Sequence, residues 1–149
     1  MYRYLSHALR VLCVSLAVVG PMPIVMSQQQ PHFAGAYELT SIVEDGSEVH
    51  FTLKFTLLNP GNTDVKGGIL ALLDSQPNSL VIGEVATIAS LPHLGQISVT
   101  KNFTVSADEY ARWQSGHEPR FDFLVPANDG AMDVRVQSRH VVNPPVKTN

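Results

Sequence analysis

From Ser47 to Thr63 the chain reads SEVHFTLKFTLLNPGNT, and no other stretch restricts the fold so narrowly. Val49, Phe51, Leu53, Phe55 and Leu57 recur at every second position, with His50, Thr52, Lys54 and Thr56 between them. A period of two puts the first set on one face of an extended strand and the second on the other, as in a half-buried antiparallel strand. A row of large apolar side chains needs a facing layer. Burying each contributes roughly 1.5 to 3 kcal/mol, so the row supplies about 10 kcal/mol before chain entropy is subtracted. Asn59-Pro60-Gly61-Asn62 is expected to end the strand in a tight turn, with Pro60 presetting φ at the second position and Gly61 accepting a positive φ at the third.

The first 27 residues read as an address and not as part of the fold. Arg3 and Arg10 flank a short polar stretch, and Val11 to Val19 is an apolar run of signal-peptide length, too short to span a bilayer. Gly20, Pro21 and Pro23 break any helix after it, and Val25-Met26-Ser27 offers a cleavage site before Gln28. A retained N-terminal anchor is the alternative. Cys13, the one cysteine of the chain, lies inside the apolar run, with Leu12 before it where a lipidated site would want a smaller residue. Removal of the leader therefore leaves no cysteine, so stability in an oxidising compartment must come from a packed core. The 13 acidic residues outnumber the 10 basic ones, two of which belong to the leader, and no Lys/Arg cluster remains. Nucleic acid and anionic membrane are poor partners for such a surface.

Residues 28–35 are polar and carry a proline, which suggests a flexible lead-in; one domain is expected over 36–142 and a tail over 143–149. Ala36 to Glu44 reads as a first strand, with Tyr37 and Leu39 in phase with Val43, and Asp45-Gly46 as a two-residue hairpin turn. Ile69 to Asp74, apolar on both faces, suits a central strand. Ser79 to Ser90 follows as a β-branched strand with Gly83 at a bulge. Gln96 to Val105 alternates again, except that Lys101 falls in the apolar phase. That fits a bulge, or an edge strand with an inward-pointing charge; a ligand-binding lysine is the functional alternative. Ser106-Ala107-Asp108-Glu109 has capping-box spacing, predicting a short helix over Ala107 to Gln114. Pro119 to Pro126 and Met132 to Ser138 complete the strands, joined by a turn at Asn128-Asp129-Gly130.

About seven strands with short polar turns and one helical crossover amount to an all-β, Greek-key β-sandwich. The run of an alternating strand, then Asn59-Pro60-Gly61-Asn62, then a Gly-containing apolar strand resembles the immunoglobulin-like and fibronectin-III-like domains of bacterial envelope proteins. The likeness covers Tyr37 to Val142 as a pattern. There is no Cys pair, no Trp in the third strand, and Arg120-Phe121 stands where the sixth strand of a true immunoglobulin domain would begin with Tyr. The resemblance implies a fold and an exported location and carries over no binding residues.

Chemistry-bearing constellations are sparse. His32, His50, His93, His117 and His140 stand in separate segments without metal-ligand spacing. No Gly-x-Ser-x-Gly elbow marks a nucleophile. Glu44, Asp45 and Glu48, like Asp129 and Asp133, read as hydrophilic hairpin tips, because no calcium loop surrounds them. Asn102-Phe103-Thr104 matches a glycan acceptor triplet but lies within a predicted strand. Tyr110 and Trp113, three apart on the helix, form either a plug for the open end of the sandwich or a platform for a sugar or partner.

No catalytic, cofactor-binding or metal-binding residue is therefore assigned. The expectation is a non-enzymatic, secreted or periplasmic β-sandwich that meets a protein or glycan partner by surface contact, as a binding or assembly module of the envelope, with no membrane span once the signal is removed. Tyr110 and Trp113 are the candidate surface-binding residues. A carbohydrate-binding module and a small periplasmic enzyme or metal carrier are the alternatives.

Overall fold

The computed structural model describes residues 32–128 and 130–142. Residues 1–31, Asp129 and residues 143–149, and with them the expected leader and tail, lie outside the described residues. Seven strands and one helix follow in order: β1 (Phe33–Asp45), β2 (Glu48–Leu58), β3 (Gly68–Leu73), β4 (Val81–Ile88), β5 (Gln96–Ser106), α1 (Ala107–Gln114), β6 (Arg120–Ala127) and β7 (Gly130–His140). They form one mixed sheet in the order β4-β3-β6-β7-β1-β2-β5. All neighbours are antiparallel except β1 and β7, which run parallel from Phe33 beside Val136 to Tyr37 beside His140.

The sheet curls until its two halves face each other, with Phe33 of β1 meeting Phe123 of β6 and Tyr37 meeting Phe121, so the array is nearly barrel-shaped. The alternating row of β2 fills the space between: Val49, Phe51, Leu53, Phe55 and Leu57 are all buried, as their period requires. They meet the equally alternating Phe121, Phe123 and Val125 of β6, with the Phe55 and Phe121 rings 4.3 Å apart. β3 lies between β4 and β6, the covered place its apolar sequence implies. Among the described residues no helix is long and apolar enough to cross a membrane.

The two free edges, β4 and β5, approach each other without pairing. Lys101 sits opposite Leu53 in an unbroken β2–β5 register, so no bulge re-aims it. Its ammonium instead reaches across the seam and donates to the carbonyl of Glu84 at 2.6 Å. The lysine thus occupies an edge position and satisfies a carbonyl of the other edge. Gly83 stands at the same seam because a Cβ there would lie 3.1 Å from Cε1 of Phe103. The β4 register slips on each side of Gly83, leaving Ile82 and Val85 as extra residues.

Four local expectations need correction. Phe33 to Gly35, read as lead-in, begin β1; Phe33 is a core residue whose ring meets Phe123 edge-on at 4.9 Å. The hairpin turn is Gly46-Ser47, since Asp45 pairs with Glu48. Gly61 does not take a positive φ. The turn is shaped by the Asn59 side chain instead, and a Cβ on Gly61 would meet its Oδ1 at 3.0 Å. Val43 is not in the inward phase of Tyr37 and Leu39. Ser41 adopts a left-handed φ of 51°, and one extra residue enters β1 between Thr40 and Val43. Because a strand alternates strictly, the extra residue turns Val43 to the outer side, opposite His50.

Candidate functional site

The helix is positioned as its sequence suggests, but for a purpose the spacing did not disclose. Ser106 caps it, its hydroxyl accepting the main-chain N–H of Glu109 at 3.2 Å. In a capping box the Glu109 carboxylate would turn back to the cap N–H. Here it points inward, 4% exposed, and accepts the Ser75 N–H at 2.6 Å, the Trp113 indole N–H at 2.6 Å and the Arg112 guanidinium. Burial by itself would push this carboxyl up, yet the donors of Ser75, Arg112 and Trp113 together hold it below the usual carboxylate range. Glu109 therefore ties α1 to the loop after β3.

Tyr110 and Trp113 are brought together, with rings 6.2 Å apart, but they face inward. Trp113 is 8% exposed and its indole packs edge-on against Phe51 at 5.6 Å. With both rings buried, the helix closes one end of the core and offers no exposed aromatic platform.

The opposite end is built by Asn59, a buried side chain placed where β2 stops. Its amide donates to the carbonyls of Thr63, Leu91 and Pro92 at 2.9, 3.2 and 3.1 Å, and its Oδ1 accepts the Gly61 N–H at 3.0 Å. Every polar group of the amide is used, so the 59–66 loop is held in one shape. Beside that loop lies a half-open cleft of about 650 Å³, lined by the 59–66 loop itself together with His32, Val125, Pro126 and Met132. The His93 main-chain N–H at 2.9 Å, seconded by its ring nitrogen at 3.3 Å, holds Asp64 below the usual carboxylate range.

The third feature is the end of the β1–β2 hairpin. From Ser41 to Asp45 every residue of β1 is exposed. Ile42 and Val43 are 42% and 58% exposed, with Glu44, Asp45 and Glu48 around them. The histidines do not converge: His50 contacts Thr104, His93 contacts Asp64, His117 contacts Ser115 and His140 stacks on Tyr37. Among the described residues no group of three or more His, Cys, Asp or Glu side chains is arranged to hold a metal.

No protein-family model matches the chain, and no curated protein matches it either. Solved structures do show similarity. One is a GH20 exo-β-N-acetylglucosaminidase from Vibrio harveyi, solved with N-acetylglucosamine, at 13% identity and a TM-score of 0.40; the match covers 78% of this chain and 19% of that one. Another is Northeast Structural Genomics Consortium target SoR45, at 9% identity and a TM-score of 0.41, covering 77% of this chain and 88% of that one. The chain thus spans about a fifth of the glycosidase's length. Likenesses this distant say nothing of what the chain does.

Proposed function

We propose that the chain is an exported, non-catalytic β-sandwich of immunoglobulin-like, Greek-key type that acts by surface contact, as a binding or assembly module of a cell envelope. The finer fold reading is supported by the chain's path. β1 and β2 lie in one half of the curled sheet, β3 and β4 in the other, β5 returns to the first, and β6 and β7 complete the second. The apolar leader supports export.

One observation carries the binding reading, and it is the bulge at Ser41. A non-glycine residue in the left-handed region costs about 1 to 2 kcal/mol. Here the bulge turns β-branched Val43 away from the core, on an arm where Ile42 is exposed as well. A strained residue that exposes apolar surface is accounted for by a partner that covers it. Glycan binding through the helix has no such support, because Tyr110 and Trp113 are buried.

The test is mild cross-linking of intact cells with the wild type and with an Ile42→Ser, Val43→Ser double variant. The variant is expected to melt like the wild type and to lose the cross-linked partner. An undiminished partner would refute the role of the arm. Intact-mass measurement of the envelope fraction checks export: the mature species should lack about the first 27 residues, and retention of Cys13 would contradict cleavage.

A further inference from the structure

The strand order sets β1 between β7 and β2, yet β7 accompanies it only from Phe33 to Tyr37. The Val141 N–H, donating to the Tyr37 carbonyl at 2.7 Å, marks the end of that pairing. From residue 39 to residue 45, β1 keeps β2 on one flank and, among the described residues, has no strand on the other. Half of an interior strand is therefore an open edge, and Ile42 and Val43 are exposed along it. Bulges and charges often guard such edges, but a guarded edge gains nothing from two exposed β-branched side chains.

The charge around this edge has one sign. Asp45 pairs with Glu48 across the hairpin and Glu48 pairs with Ser106. The Ala107 N–H donates to the Ser47 carbonyl at 2.8 Å, which brings Asp108 of α1 beside the tip. Glu44, Asp45, Glu48 and Asp108 are exposed, and none forms an ion pair with Lys or Arg among the described residues.

On the reading of this arm as the contact surface, we propose that residues 39–45 receive an added β-strand from another protein, an extended segment whose lysine or arginine side chains alternate with apolar ones. The open main chain of β1 supplies affinity for an extended segment, Ile42 and Val43 select apolar side chains on it, and the carboxylates select basic ones. A second copy of this chain fits poorly, because pairing two such edges would set the carboxylates of both side by side. The chain's own continuation after β7 fits poorly too. It opens with Asn143-Pro144-Pro145, and proline has no N–H to give to a ladder.

The experiment is titration of the isotope-labelled protein, followed by amide NMR, with synthetic peptides of about six residues, a common strand length. One alternates valine and lysine, one alternates valine and glutamate, and a third is the valine–lysine peptide N-methylated at alternate residues along its pairing edge. Saturable binding of the valine–lysine peptide is expected, with shifts and slowed hydrogen exchange at residues 39–45; the other two should not bind. A Glu44→Lys, Asp45→Lys double variant should weaken the valine–lysine peptide about tenfold, through reversal of two rim charges, and take up the valine–glutamate one. Binding indifferent to the peptide's charge or to its N-methylation would overturn the proposal, as would shifts confined to other residues or the absence of saturation. So would a protein that dimerises through this edge instead, or binding that requires removal of residues 143–149. In intact cells the same charge reversal should lose the cross-linked partner. Loss of that partner with Ile42→Ser, Val43→Ser but its retention with the charge reversal would overturn the basic added strand alone and leave the surface contact standing.

Discussion

The indole N–H of Trp113 donates to Glu109 Oε1 at 2.6 Å, and the same oxygen accepts the Ser75 main-chain N–H at 2.6 Å. One carboxylate thus orients the core plug and docks the helix on a neighbouring loop. Glu109→Gln should cost about 2 kcal/mol, since it replaces charge-assisted bonds and sets an amide against Arg112. Trp113→Ala should cost about 3 to 5 kcal/mol through the cavity it leaves. Urea denaturation measures both. As the chain has 1 tryptophan, its emission should be blue-shifted until the protein unfolds; an exposed-indole spectrum from the native state would contradict the packing.

Acid should act on two carboxylates in opposite directions. Glu109 is held below its ordinary value of 4.5, so its contribution is complete above that value and is lost as pH falls through the lower, folded-state pKa. Asp122 is pushed above its ordinary value of 3.8 by burial and by Asp133, against the pull of Arg120 and Arg135. Its ionisation therefore opposes folding above the raised pKa, and the penalty disappears below the ordinary value. Asp122→Asn should raise Tm at neutral pH, with the gain vanishing in acid, whereas the loss in Glu109→Gln should shrink as pH falls. Thermal melts across this range separate the two.

Asn59 should tolerate neither of its near relatives. Asn59→Ala strands the carbonyls now served by its amide and should cost about 2 to 3 kcal/mol. Asn59→Asp keeps the shape and the acceptor for Gly61 but aims a carboxylate oxygen at the carbonyls of Thr63, Leu91 and Pro92. Equilibrium unfolding should therefore find Asn59→Asp at least as damaging as Asn59→Ala. A milder aspartate would mean that the amide is not the donor.

Along β2, burial alternates with the sequence, and stability should alternate with it. Phe51→Ala or Phe55→Ala should cost about 3 to 5 kcal/mol, and Thr52→Ala or Thr56→Ala under about 1 kcal/mol. The threonines do bond Asn102 and Ser98, at 2.8 and 2.9 Å, but on the exposed face. Chemical denaturation of the four variants makes the comparison, and equal losses in the two sets would contradict the register.

What was legible in the sequence is what depends on period and on local caps. The row of β2, the edge lysine at position 101 and the Ser106 cap all rest on spacing between near neighbours. What was hidden depends on partners far along the chain. Nothing in Thr40-Ser41-Ile42 signals a left-handed serine, so simple alternation sets Val43 in phase with Tyr37 and Leu39, whereas it lies on the outer side. Phe33 reads as part of a polar lead-in because its place is set by β7, over a hundred residues later. Glu109 had the spacing of a reciprocal cap, but the buried Ser75 N–H and Trp113 indole needed an acceptor more than the exposed cap did. Asn59 in the sequence is one residue of a turn signal, whereas its carbonyl partners at Leu91 and Pro92 come from a distant loop.

The parallel pairing of β1 with β7 also decides how the domain meets a mechanical load. Tension drawn through the two ends of the chain pulls β1 backward from Phe33 and β7 forward from His140, in opposite senses along adjacent strands. The hydrogen bonds between them are then loaded together, in shear, and cannot open one after another as they would if a hairpin were peeled from its turn. A module tethered at one end and gripped at the other would hold its core closed until this short junction gave way as a unit.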